Sequence, residues 1–115
     1  MQDALRQFKA DIFQALANPT RVAIVELLRD RGETPVTHIQ DALRIEQANV
    51  SQHLSVLRSK NIVLARKEGN QVFYHLRDPI LGKVLDILKQ YFHQHVKEAM
   101  ATLRQMSPPK EVIRK

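Results

Sequence analysis

Between Val63 and Leu76 the chain changes its apolar period, and no other feature constrains the fold as much. Up to Ser59 the apolar residues return every three or four positions, as they do along one face of a helix. Then Val63, Ala65 and Lys67 alternate with Leu64 and Arg66, and Glu68-Gly69-Asn70 supplies turn chemistry. Gln71–Leu76 (QVFYHL) follows as a second run of β-branched and aromatic residues. This pattern predicts a two-stranded hairpin. A hairpin set after several helices and before one more leaves few architectures for a chain of 115 residues.

The helical part divides at clear signals. A first helix is expected from about Asp3 to Ala17, with Leu5, Phe8, Ile12 and Leu16 on one stripe. Asn18 is a good N-cap, and Pro19 suits the first position of the next helix. That second helix carries Val22, Ile24, Val25, Leu27 and Leu28 and should stop at Gly32. Thr37 followed by Gln40 resembles a capping box for a short third helix through Leu43. A fourth helix is expected from about Gln47 to Ser59. After the hairpin, Asp78-Pro79 opens a long last helix to about Met106, and Ser107-Pro108-Pro109 ends it. The expected fold is mainly α with a small β-hairpin, in the order α-α-α-α-β-β-α. One domain over residues 1–106 and a flexible basic tail over 107–115 are expected.

Charge narrows the partners. The net charge is +6, and the excess is concentrated in residues 44–77. There Arg44, Arg58, Lys60, Arg66, Lys67 and Arg77 face only Glu46 and Glu68. A locally basic segment favours a polyanion, with nucleic acid first. No apolar run is long enough for a membrane span, and the charged start MQDALRQFKADIF lacks the apolar core of a secretory signal. A cytoplasmic protein is therefore expected. The chain has no cysteine, which excludes disulfides, thiolate metal sites and cysteine nucleophiles. It also has no glycine-rich phosphate loop and no Ser/His/Asp set in a motif context. An enzyme is not expected.

The fourth helix carries the functional signal. At about 100° per residue, Val50, Leu54 and Leu57 share one face. Ala48, Gln52 and Ser55 gather on the other, flanked by Asn49, Ser51 and Arg58. That outer face is short, neutral and rich in amides and hydroxyls. Such a face suits the DNA major groove, where an amide pairs bidentately with adenine and serine bonds several bases or phosphates. A short helix joined to it by a tight connection makes a helix-turn-helix. The basic hairpin downstream becomes a wing for the phosphate backbone.

The segments ALANPTRVAIVELL (15–28), NVSQHLSVLRSKNIV (49–63) and GNQVFYHL (69–76) resemble the ArsR/SmtB family of bacterial winged-helix repressors. Most distinctive is Ser51-x-His53-Leu54-x-x-Leu57 followed by a wing. The resemblance implies a homodimer, paired through the first and last helices, that binds double-stranded DNA at an imperfect palindrome. By position it points to Gln47, Asn49, Ser51 and Gln52 for base or phosphate contacts, and to Arg66, Lys67, Asn70 and Gln71 on the wing. Ser55 and Arg58 join the set from the wheel. His53, beside the buried stripe, is expected to be structural. Relatives often carry Ser on either side of the residue matching Gln47, whereas this chain has Glu46 and Ala48. Its operator is therefore expected to differ.

The expected dimer seam holds Leu5, Phe8 and Ile12 of the first helix and Leu81, Val84, Leu88, Phe92, His95 and Ala99 of the last. The family's metal sites are not preserved. In the last-helix zinc pattern Asp78 matches, but Ile80, Tyr91 and Gln94 stand at the other ligand positions. His95 and Glu98 share a face and are the remaining metal candidates. No cofactor is expected, and any inducer would be an unidentified small molecule or protein. Two other readings stand beside the metal-free repressor. One is a zinc-type repressor using His95 and Glu98 across the dimer, and the other is a winged-helix module that binds protein rather than DNA.

Overall fold

The computed structural model describes residues 1–106; the tail expected over 107–115 lies outside them. Its elements are α1 (Gln2–Leu16), α2 (Pro19–Arg31), β1 (Thr34–Pro35), α3 (Val36–Leu43), α4 (Gln47–Ser59), β2 (Val63–Glu68), β3 (Gln71–Leu76) and α5 (Ile80–Met106). The mainly α fold with a wing is as expected, with one short strand added.

Asn18 separates α1 from α2 as its chemistry suggests. Its backbone is extended, and its Oδ1 accepts from the N–H groups of Thr20 (2.9 Å) and Arg21 (3.1 Å). Two donors that the first turn of α2 cannot satisfy are thereby paired. Asn18→Ala should cost about 1 kcal/mol, read as a lower urea midpoint with unchanged slope. At the far end Gly32 adopts φ +78°, a region that a side chain would strain.

The third helix corrects one expectation. Thr37 and Gln40 do not form a capping box: α3 starts at Val36, its N-cap is Pro35, and no side chain caps it. Thr34-Pro35 is instead a short strand, paired antiparallel with β3 through Thr34–Tyr74 and Pro35–Phe73. The strand runs straight into α3, so Thr37 already lies inside the helix. The sheet order is β1-β3-β2, which makes the central strand of the wing β3 and anchors the hairpin along one edge.

The core of the first unit, Met1–Gly82, is built mainly by α2, α3, α4 and the start of β2, with Ala15 from α1. Ile24, Val25 and Leu28 meet Ile39, then Val50, Leu54 and Leu57, then Ile62 and Val63, all buried. α4 ends in a Schellman motif, with Asn61 at φ +58°. The Ile62 N–H donates to Leu57 O and the Asn61 N–H to Arg58 O, both at 2.9 Å. This close turns the chain directly from α4 into β2. At Gly82 an added Cβ would lie 2.6 Å from Arg29 Cγ, so the absence of a side chain lets the Arg29 stem pass.

The second unit begins at Lys83, and its described part is the rest of α5. Val84, Ile87, Tyr91, Phe92, Val96, Met100 and Leu103 are all exposed there. No helix among the described residues is long and apolar enough to cross a membrane.

Candidate nucleic-acid interface

Inward and outward residues separate along α4. Val50, Leu54 and Leu57 are buried, while Gln47, Asn49, Ser51, Gln52, Ser55 and Arg58 are exposed. None of those six side chains is occupied by a hydrogen bond or ion pair among the described residues. The helix therefore presents a row of unpaired amide and hydroxyl groups beside one guanidinium.

The approach to α4 is tight. Arg44 takes the left-handed conformation at φ +57° and caps α3 through its N–H to Gln40 O at 2.7 Å. Only Ile45 and Glu46 then precede α4. A bulky residue is strained at such φ values, so the turn of the helix-turn-helix is held by its surroundings. Glu46 is the N-cap by position, but its side chain makes no capping bond.

His53 is half-buried, and its Nδ1 lies 3.3 Å from Arg21 Nη1. Arg21 also donates through Nε to the Ala15 carbonyl. One side chain of α2 thus ties the end of α1 to the middle of α4. Since arginine only donates, this contact is a hydrogen bond in the tautomer that leaves Nδ1 free to accept. Arg21 was not among the residues that the sequence pattern singles out, because its partners are distant along the chain or are backbone atoms.

Strand alternation divides the wing into two chemically different faces. Val63–Leu76, Ala65–Tyr74 and Lys67–Val72 pair along one face, which starts in the core at Val63. Leu64–His75, Arg66–Phe73 and Glu68–Gln71 pair along the other. Arg66 and Lys67, adjacent in sequence, therefore point to opposite sides. Lys67 is exposed and has no described partner. Arg66 is heavily engaged. Its Nη2 donates to Glu33 Oε1 at 2.8 Å, its Nε to Glu33 Oε2 at 3.1 Å, and its Nη1 to Glu68. Its guanidinium also lies 4.8 Å from the Phe73 ring centroid, within cation–π range. These hydrogen bonds hold the Glu33 carboxyl below its ordinary value of 4.5 and raise the pKa of Arg66. His75 Nδ1 approaches the same carboxylate, 3.4 Å from Oε2. Asn70 and Gln71 are exposed at the hairpin tip.

Of the residues expected at a dimer seam, Leu5, Phe8, Val84, Phe92, His95 and Ala99 are exposed, while Ile12, Leu81 and Leu88 are half-buried. Exposed apolar residues also include Phe13, Ile80, Ile87, Tyr91, Val96 and Met100, which a single narrow stripe omits. His95 Nδ1 and Glu98 Oε1 lie 3.9 Å apart. Glu98 also accepts from Gln94 (3.3 Å), and the Tyr91 ring packs on His95. Among the described residues no three potential ligands converge on one point.

Residues 18–64 match the model of the bacterial regulatory protein family arsR. An uncharacterized helix-turn-helix transcriptional regulator of Mycobacterium tuberculosis, Rv0081, is 30% identical over 90% of this chain and 91% of its own. The arsenical resistance operon repressor of Escherichia coli is 32% identical over 84% of this chain and 82% of its own. Among solved structures, that of Rv0081 superposes with a TM-score of 0.75 at 31% identity, covering 84% of this chain and 96% of the other. The homodimeric winged helix-turn-helix DNA-binding domain Mb0332 of Mycobacterium bovis gives 0.75 at 28% identity, covering 84% and 89%. With the exposed polar row on α4 and the wing after it, these likenesses show that the chain belongs to the ArsR family of DNA-binding transcriptional regulators.

Proposed function

We propose that the protein is a homodimeric repressor whose two α4 helices enter successive major grooves of an imperfectly palindromic operator. The observation that carries this reading is the unpaired row Gln47, Asn49, Ser51, Gln52 and Ser55 on α4, backed by a buried stripe that fixes its orientation. In this reading Gln52 and Asn49 read base edges, Ser51, Ser55 and Arg58 hold the backbone, and Lys67 and Asn70 extend the contact from the wing. Exposed apolar residues on α1 and α5 support a two-fold pairing, and the homodimeric Mb0332 domain offers the precedent.

The dimer works without the family's metal ligands in this reading, because Ile80, Tyr91 and Gln94 stand where the last-helix site needs ligating side chains. Release from DNA then falls to a small molecule or a protein. Acting on the bacterial chromosome, the protein would work in the cytoplasm.

Selection of bound duplexes from a random library tests the proposal. An inverted repeat with half-sites about one helical turn apart is expected; enrichment of no sequence would overturn it. Lys67→Ala should weaken all duplexes alike and flatten the salt dependence by about 0.9 for each phosphate released.

A further inference from the structure

Arg66 is the wing's most obvious cation, yet it is already neutralised. Both oxygens of Glu33 meet its fork, with Nη2 at 2.8 Å and Nε at 3.1 Å, while Nη1 is held by Glu68. Phe73 supports the guanidinium at 4.8 Å. Three of the five guanidinium N–H donors and the one positive charge are thus engaged by two carboxylates, with the ring beneath. Within this fork two carboxylates, Glu33 and Glu68, face one guanidinium, and His75 Nδ1 lies 3.4 Å from Glu33. A phosphate approaching here would compete with a bidentate charge-assisted pair and sit beside two carboxylates.

The opposite face of the same hairpin has the reverse character. Val63 begins it in the core, and Lys67 ends it in solvent with no carboxylate attached. Glu33 directly precedes β1, and the chain then leads through α3 to the reading helix. The Glu33–Arg66 fork therefore reaches across β3, level with the Pro35–Phe73 pair, and ties β2, which does not pair with β1, to the segment that opens the helix-turn-helix.

We propose that Glu33 and Arg66 form a strut that sets the pose of the wing, and that the duplex is met by the Lys67 face with no phosphate contact from Arg66. Glu33 is then a positioning residue for DNA binding despite its negative charge. This inference rests on the DNA-binding reading above.

A double-mutant cycle on the full-length protein tests it, with Glu33→Gln, Arg66→Gln, the double variant and Lys67→Gln titrated against the selected operator from about 50 to 200 mM salt. Circular dichroism at the titration concentrations establishes that each variant is folded. Glu33→Gln and Arg66→Gln should each weaken binding about fivefold, and the double variant should be no weaker than either single one. Both singles should keep the wild-type salt slope, whereas Lys67→Gln flattens it by about 0.9 per contacted phosphate. Tighter binding by Glu33→Gln would overturn the strut, because simple removal of a repulsive charge predicts that sign. A flattened slope for Arg66→Gln, or wild-type affinity in all the Glu33 and Arg66 variants, would overturn it too. Failure of the underlying reading looks different: the wild-type protein would then show no salt-dependent affinity for any duplex.

Discussion

Leu54→Ala is expected to lower folding stability by about 2–5 kcal/mol, a large share of the roughly 5–15 kcal/mol that holds a domain together. Leu54 is 1% exposed, and the buried side chains of α4 are only Val50, Leu54 and Leu57. Ala15 of α1, Ile24, Val25 and Leu28 of α2, Ile39 of α3, and Ile62 and Val63 are buried in the same core. Removing the middle member of the α4 stripe leaves a cavity that close-packed neighbours fill only in part. The midpoint of urea unfolding should drop with little change in slope, at one fixed protein concentration so that any association contributes equally. Ser55→Ala, one position on and exposed, should stay within about 0.5 kcal/mol of the wild type. A Leu54→Ala loss below 1 kcal/mol would show that α4 is not packed as described.

Gln52→Ala should leave stability nearly unchanged and alter recognition instead. Gln52 is exposed near the centre of the α4 polar row, and its amide can offer a donor and an acceptor together to one base edge. Losing a bidentate base contact costs about 1–3 kcal/mol of discrimination. The expected signature is a weaker operator complex, unchanged affinity for unrelated duplexes, and an unchanged salt slope, because no phosphate contact is lost. Binding measured against operators with single base-pair changes locates the base that Gln52 reads. If no position lost its preference, the reading head would be misassigned.

Helical periodicity made much of this fold legible, because burial on one face repeats within a few residues. Val50, Leu54 and Leu57 alone orient α4, and Asn18-Pro19 marks a boundary through local backbone chemistry. What escaped was non-local. Thr34-Pro35 is a strand only because β3 lies beside it, and two residues carry no alternation of their own. That hidden pairing is also why Thr37 suggests a cap it does not form. Glu33 shows no signal in the sequence because its partner is 33 residues away. The opposed directions of Arg66 and Lys67 were latent in the alternation of β2, but the strand's relation to the core was needed to give each side a meaning. On α5 the apolar residues cover too wide an arc for one stripe. Ile87, Tyr91, Val96 and Met100 are consequently missed.

The pairing of Thr34 with Tyr74 has a consequence for how the molecule assembles. It closes a loop that contains α3, the turn at Arg44, α4 and the whole of β2. Closing such a loop early is entropically unfavourable, so the short strand docks once the enclosed helices have brought its partner within reach. Non-local contacts of this kind slow folding relative to a plain helical bundle. They also bind α4 and the hairpin that follows it into one cooperative event, so neither is expected to persist in a half-folded chain.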